Sequence, residues 1–537
     1  MYVDYRHKKF LVVDDFHEFR SALRFMLQSF GVVSIDTAGS GEAAINLIEK
    51  KPYDVILCDY NLGYQQKDGQ QILEEIKHRE LITLTTVFIM ITAENTTEMV
   101  MGVAEYYPDD YLIKPFTKDI LKSRIEKAFK RKNDFELIES AIRKKVYRQA
   151  ITLCETRIKE NPSNLFEYIK LKGDLLLQIG DYDGAKDLYE EVLSVREIPW
   201  AKIGLGRAFF YKEDYPQARH VFRSLIEENK MHIGGYDWLA RTFIKENDLE
   251  KAQNILQDAV EISPKSVNRQ KLLGEIAFQN QNYDQSGKAF QSAIELGRHS
   301  CFKSPTVYIG LAKVLVNMKE PEKAIPVLND IQKEFKENTE AAFQAAAMKG
   351  VVYLTMNQKE ESRKYFQEAA KLYEGIKDIP QDILIGLAKS CLEMGEKEEG
   401  LKLIQNVIKN NHEDDALLRK VQTIFNDNNL SEEGHQFIDS IRKEIIQINN
   451  QGVRLVKEGR LSEAIECFEK AAQSMPGNKI IVANAAEALF RQIQNTVKDK
   501  TLLQRAKNYL DRLQKIDPEY KKIPHLLEWY ESFSLRS

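Results

Sequence analysis

The chain has 537 residues, 43% hydrophobic and 29% charged, with 14 prolines and 26 glycines, which excludes a disordered or collagen-like polymer and fits a helix-rich globular protein. Its five cysteines lie tens of residues apart, so neither a disulfide framework nor a CxxC metal clip is available, and a reducing, cytoplasmic compartment is expected. The net charge of −4 divides into −3 over residues 1–131 and −1 over the remainder, so neither part carries the basic field of a nucleic-acid binder.

The first part alternates short apolar runs with amphipathic stretches. KKFLVVD (8–14) precedes a helical pattern through Phe30, and VVSIDTA precedes a helix over 42–50. YDVILCD (53–59) is followed by a helix over 68–81, and TTVFIMIT by a weaker helical pattern near 96–105. DYLIKPF (110–116) leads into a helix from Thr117. Fully apolar strands alternating with helices predict a doubly wound α/β fold, a five-stranded parallel sheet covered on both faces. The charge-free apolar run 81–93 is too short to cross a bilayer, so no membrane insertion is expected.

Chemistry in such sheets belongs at the carboxyl ends of the strands. Asp14 and Asp15 end the first strand, Asp59 the third and Thr92 the fourth, and Lys114 follows the fifth. Strands ~4.8 Å apart bring these side chains to one pocket. Three close carboxylates repel one another unless a cation intervenes, and a hard divalent ion with oxygen ligands, Mg2+, suits them. Thr92 offers a hydroxyl and Lys114 a point charge for phosphoryl oxygens, so the set suits phosphoryl transfer onto a carboxylate.

VVDD (12–15), LCDYN (57–61), MITAE (90–94) and YLIKPF (111–116), in this order and spacing, resemble the receiver domain of two-component response regulators over about residues 6–131. The resemblance implies Asp59 as phosphoacceptor and Asp14, Asp15, Asp59 and the backbone carbonyl of Asn61 as Mg2+ ligands. It also implies Thr92 as switch hydroxyl, Lys114 as phosphate-pairing amine, Tyr111 as the aromatic whose rotamer reports phosphorylation, and a cis Lys114–Pro115 bond. A histidine kinase or phosphotransfer protein is the implied donor, and the family is bacterial in character. The sequence departs from the family after Asp59: Leu62-Gly63 replaces a hydrophobic-Pro pair, and Gly69 comes two residues late, which alters the local shape beside the acceptor but removes no chemical group.

From about residue 134 the pattern is helical throughout. A small residue recurs at Ala150, Ala185, Ala218, Ala252, Ser286, Ala324, Ser362, Gly400, Gly434, Ala464 and Ala506, at intervals of 30 to 42 residues. Twelve residues before many of these stands another small residue, such as Gly173, Gly206, Gly274 or Gly350. Four after stands a large one, such as Tyr189, Phe222, Phe290 or Phe366. This looks like the tetratricopeptide repeat, in which small residues let antiparallel helices approach and an aromatic fills the gap, and it predicts an all-α superhelical solenoid of ten or eleven units. Domains are therefore expected at 1–131 and 132–537, the second broken near 409–450.

Nothing in the array has the spacing of a metal or nucleophile motif, so no catalytic residue is expected there and the array reads as a surface for an unidentified protein ligand. Trp200 and Trp238 are read as core, and the cluster Lys127, Lys130, Arg131 and Lys132 as a solvated helix face. From Phe116 to Asn161 there is no Gly or Pro, the reverse of a flexible tether, so the last helix of the α/β part should run into or pack on the array. The resulting reading is a phosphorylation-gated adaptor with no enzymatic output beyond its own aspartyl phosphorylation and dephosphorylation. The alternatives are a phosphatase or phosphoryl sink for another receiver, and a constitutive scaffold with an inactive receiver; homodimerisation stays open.

Overall fold

The computed structural model describes residues 4–63, 66–93, 108–132, 135–160, 164–373, 381–495 and 499–534. The expected helix near 96–105 lies outside the described residues. The chain divides into two compact units, 1–304 and 305–537, taken separately below.

The first unit opens with β1 (Lys9–Val13), α1 (His17–Ser29), β2 (Ser34–Ala38), α2 (Gly41–Lys50), β3 (Val55–Asp59), α3 (Gly69–His78), β4 (Val87–Thr92) and β5 (Asp110–Ile113). The strands form one parallel sheet in the order β2-β1-β3-β4-β5. Alternation along each strand feeds two cores. Leu11, Val13, Ile56, Cys58, Phe88 and Met90 face α2 and α3, where Ile45, Ile48, Ile72, Leu73 and Ile76 meet them. Phe10, Val12, Val55, Leu57, Val87, Ile89 and Ile91 face Leu23 and Leu27 of α1, and Leu121, Ile125 and Phe129 of the helix Lys118–Lys132. β3 and β4 are buried at every position, which is why their sequences are continuously apolar.

Two local signals fix where α2 and α3 begin. The Ser40 hydroxyl accepts from the Ala43 N–H, and Asp68 with Gln71 forms a reciprocal capping box. The helix Lys118–Lys132 is tied to the sheet through Lys132, whose ammonium pairs with Asp109 at 2.6 Å and donates to the Thr86 carbonyl. Lys127 and Lys130 of the same helix are exposed. Phe135 follows closely and packs, tilted by 32°, on the fully buried Tyr168 with ring centroids 4.6 Å apart, so apolar packing resumes soon after the α/β part.

Among the described residues the rest of the first unit holds five helix hairpins, Glu136–Arg143 with Tyr147–Glu160, Leu165–Gln178 with Tyr182–Val195, Pro199–Tyr211 with Tyr215–Glu228, Ile233–Lys245 with Leu249–Ile262, and Val267–Gln279 with Tyr283–Gly297, followed by the segment 298–304. A Cβ added to Gly173, Gly206 or Gly274 would overlap the ring of Tyr189, Phe222 or Phe290 respectively. The glycine twelve positions before each anchor thus faces the aromatic four positions after it. Ala185, Ala218 and Ala252 are fully buried at the crossing, and where serine replaces alanine the Ser286 hydroxyl donates to the Gly274 carbonyl at 2.7 Å. The turns repeat too: Gly180, Glu213, Asn247 and Gln281 have positive φ, and Asp181, Asp214, Asp248 and Asn282 then cap the second helices.

The second unit repeats the same construction. Gly350 lies against Phe366 and Gly452 against Phe468, and the Ser362 hydroxyl donates to the Gly350 carbonyl at 2.8 Å. Residues 415–427 and 431–457 are helical; the second helix is 27 residues long, with Gly434 against Phe425 near its start and Gly452 against Phe468 near its end. It therefore closes one hairpin and opens the next. The long interval before Ala506 is filled by two 17-residue helices, Lys479–Asn495 and Lys500–Ile516, and Ile523–Ser534 packs last. A buried polar lock joins distant segments: Asn478 donates to the Lys409 carbonyl at 2.7 Å and lies 3.0 Å from His412 Nδ1, and Asn410 accepts from the Gly477 N–H.

Candidate functional site

The register explains the convergence of the acidic residues. Val13 pairs with Cys58, so Asp14, one step beyond β1, comes to lie beside Asp59 at the end of β3. Asp14, Asp59 and Thr92 are buried, at 1%, 6% and 2% exposure. One carboxylate oxygen from each of Asp14, Asp15 and Asp59 lies within 4.8 Å of the others. The Lys114 ammonium sits between two of them, 2.7 Å from Asp14 and 2.8 Å from Asp59, and the Lys114–Pro115 bond that follows is cis.

Burial pushes the Asp59 carboxyl up to about 6; the Lys114 ammonium opposes that rise and the Asp14 carboxylate adds to it. Burial by itself would lower the Lys114 ammonium, yet its hydrogen bonds to Asp14 and Asp59 hold it above the usual lysine range. Asp15 differs in having one carboxylate oxygen, Oδ1, that is buried without a hydrogen-bond partner. An orphaned carboxylate oxygen beside two further acids is a donor set that fits a hard divalent cation such as Mg2+. Asn61 is exposed, and its side chain accepts from the Gly63 N–H at 3.2 Å in the turn leaving the site. Tyr111 is half-buried against the core on the α2–α3 face.

The structure adds residues that the sequence did not single out. Arg20 donates to the Asp14 carbonyl at 2.6 Å, and the Phe16 N–H donates to the Asp14 carboxylate at 2.8 Å, so α1 holds Asp14 from both ends. Phe19 presents its ring 3.9 Å from the Lys114 ammonium. The available signal was spacing: Phe19 and Arg20 lie one helical turn into α1, on the side facing the strand ends. The extended turn after Asp59 is closed by Gly69, whose N–H donates to the Tyr60 carbonyl at 2.8 Å; a Cβ there would overlap the Asp59 carbonyl. Gly63 has φ +102°, so glycine relieves the backbone where the family's pattern departs.

Residues 10–126 match the family model described as "Response regulator receiver domain". The chain is 31% identical over 126 residues to chemotaxis protein CheY-3 of Vibrio cholerae, covering 24% of this chain and 95% of the relative. It is 30% identical over 125 residues to chemotaxis protein CheY of Pseudomonas aeruginosa, covering 23% of this chain and 98% of the relative. The chain belongs to the response-regulator receiver family. A solved structure of Vibrio cholerae chemotaxis protein CheY4 is 25% identical, covering 22% of this chain and 98% of that one with a TM-score of 0.21. Beyond the receiver, residues 170–232, 239–300 and 343–375 match models described as "Tetratricopeptide repeat". The protein is thus a response-regulator-like chain carrying a repeat interaction module.

Among the described residues the three aspartates are the only acidic, histidine or cysteine group arranged to hold a metal. No helix among them is long and apolar enough to cross a membrane. In the repeats Trp200 and Trp238 are half-buried. Trp238 stacks on Phe222 at 6.1 Å and 18°, while the guanidinium groups of Arg207 and Arg241 lie 5.5 Å and 5.0 Å from its ring. One face of that indole therefore belongs to the core and the remainder to a polar surface.

Proposed function

We propose that the protein is a two-component response regulator in which Asp59 of the receiver, residues 1–131, accepts a phosphoryl group and thereby gates protein binding by the tetratricopeptide array, residues 132–537. Receivers generally serve signalling rather than enzymatic output, and tetratricopeptide arrays bind proteins. The observation that carries the reading is the Lys114 ammonium held between Asp14 and Asp59 at the mouth of the sheet.

A carboxylate oxygen of Asp59 forms the new P–O bond as the P–N bond to the donor's phosphohistidine breaks, the donor being a histidine kinase or phosphotransfer protein. Lys114 then pairs with a phosphoryl oxygen, and the Thr92 hydroxyl donates to another. Asp14, Asp15, Asp59 and the Asn61 carbonyl would hold Mg2+, which when bound supplies charge neutralisation for the phosphoryl oxygens. Arg20 and the Phe16 N–H keep Asp14 aimed at the site. Tyr111 follows Thr92 inward, changing the outer surface beside β5. The array contributes no catalytic group, and the cytoplasm is the compartment that the kinase partner requires.

Incubation with acetyl phosphate and Mg2+, followed by intact-mass measurement, tests this reading. Wild type should gain one acid-stable, hydroxylamine-labile phosphoryl group, and Asp59→Asn none. Equal labelling of both, or of neither, overturns it. A pull-down from cell extract comparing wild type, Asp59→Asn and Lys114→Ala then reads whether the captured proteins depend on the site.

A further inference from the structure

Helix α3 departs from what its place in the fold requires. A helix covering one face of a sheet keeps its outward stripe in water. Seven of the ten residues of α3 are buried, and they include Gln70, Glu74 and Glu75. The cover comes from the fifth hairpin of the array and the segment that follows it. Gln71 Nε2 donates to the Leu296 carbonyl at 3.4 Å, and the Ser300 hydroxyl donates to Glu74 at 3.3 Å. The rings of His78 and Phe302 meet with centroids 4.7 Å apart. Ser300 is itself buried, at 7% exposure.

The contact extends back toward the acceptor. The Lys265 ammonium lies 5.9 Å from the ring centroid of Tyr60, the residue next to Asp59. Lys265 and His299 both act electrostatically on Asp68, the cap of α3. Gly69, next to the Asp68 cap, is tied to the backbone beside the acceptor: its N–H bonds the Tyr60 carbonyl, and the two segments lie so close that a Cβ on Gly69 would overlap the Asp59 carbonyl. A shift of the Asp59–Tyr60 backbone must therefore move the N-terminus of α3, and with it every group that the array touches. Packed contacts of this kind have discrete arrangements rather than a continuous range.

We propose that the fifth hairpin and residues 298–304 form a clamp on α3 that holds the receiver in its unphosphorylated arrangement, so that phosphorylation of Asp59 and seating of the clamp oppose each other. The proposal rests on Asp59 as phosphoacceptor. Each clamp contact is made to α3 as the unmodified acceptor places it, so the clamp has differential affinity for that state. Linkage is reciprocal: loosening the clamp favours phosphorylation to the extent that phosphorylation loosens the clamp. Lys265 is a positioning residue, acting through Tyr60 and Asp68 rather than on the phosphoryl group.

The test uses the full chain with acetyl phosphate and Mg2+. Two variants, Ser300→Ala/Phe302→Ala and Lys265→Met, are compared with wild type after circular dichroism has established equal helix content; the second removes only a charge and keeps its bulk. Both should raise steady-state labelling of Asp59, the double variant by roughly fivefold or more, the usual scale of coupling between sites. Hydrogen exchange should rise in residues 69–78 and 296–304 of labelled wild type, but not in Asp59→Asn treated in the same way. Labelling that is unchanged or lower in both variants, or exchange unaltered by phosphorylation, overturns the clamp alone. Absence of label from wild type overturns the phosphoacceptor reading, and the clamp falls with it.

Discussion

The receiver and the repeats bury their apolar residues in different ways, and the difference decides where function can sit. The receiver has one sheet with two cores, so its strand ends converge on a single point and four side chains of three chemical kinds, the carboxylates of Asp14 and Asp59, the Thr92 hydroxyl and the Lys114 ammonium, can share it. Among the described residues the repeats show no such cluster. Several hairpins repeat one glycine-against-aromatic crossing, as at Gly206 with Phe222 and Gly350 with Phe366, and their polar residues are spread along the helices. A point site suits covalent chemistry, and a repeated surface suits recognition.

Perturbing one repeat should separate the two kinds of packing most strongly. Phe222→Ala removes a fully buried ring from the crossing with Gly206 and stacked Trp238, and should cost about 3–5 kcal/mol by chemical denaturation. Gly206→Val, which drives a side chain into the same ring, should be similarly severe. If the receiver's strand-end site and the repeats differ as argued, neither substitution should alter the Mg2+-dependent labelling of Asp59 at temperatures where the variant is folded.

The second effect belongs to the receiver and depends on pH. The folded-state carboxyl of Asp59 is raised by burial to about 6, above its ordinary 3.8, so its contribution is fully present below the unfolded value and is lost as pH rises through the folded one. Without Mg2+, wild type should therefore lose stability relative to Asp59→Asn between pH 4 and 6, by up to about 3 kcal/mol. Asp59→Asn should lack that slope, and urea titrations of both proteins across the window measure it. A wild-type slope of the opposite sign would show that the Lys114 pairing outweighs burial.

Smaller effects sharpen the comparison at single hydrogen bonds. Asp68→Ala removes the half of the α3 capping box that the Asp68 carboxylate makes with the Gln71 N–H, leaves the backbone half in place, and should cost about 1 kcal/mol. Ser286→Ala should cost still less, because alanine occupies the equivalent crossing at Ala185, Ala218 and Ala252 and only the bond to the Gly274 carbonyl is lost. Thermal melts of the full chain resolve the order of these two. A larger loss at Ser286 than at Asp68 would mean that the crossings tolerate less variation than their repetition implies.

Much of this was legible along the chain for physical reasons. A parallel strand buried on both faces must be apolar throughout, so the first polar residue after it marks the sheet's edge; Asp14, Asp59 and Thr92 were readable for that reason. The glycine-to-aromatic spacing was readable because the same steric problem is solved in the same way at Gly173, Gly206, Gly274, Gly350 and Gly452. Less direct were the partners of Asp14: Arg20 and Phe19 lie on a helix whose rotation about its axis is set by packing Leu23 and Leu27 into the core. The hairpin turns carried a signal as well, a left-handed residue followed by Asp or Asn at Asn247-Asp248 and Gln281-Asn282.

The sequence by itself determined the two architectures and the chemical groups at the strand ends, because periodicity and burial act on residues close in the chain. Tertiary structure alone decided that Gln70 and Glu74 are buried, that Asp15 keeps an orphaned oxygen, and that residues 296–302 lie against α3. Those facts depend on which surfaces meet across more than two hundred residues of chain, and no local pattern encodes such a meeting: Gln70 and Glu74 are ordinary residues for a solvated helix face until a second surface covers them.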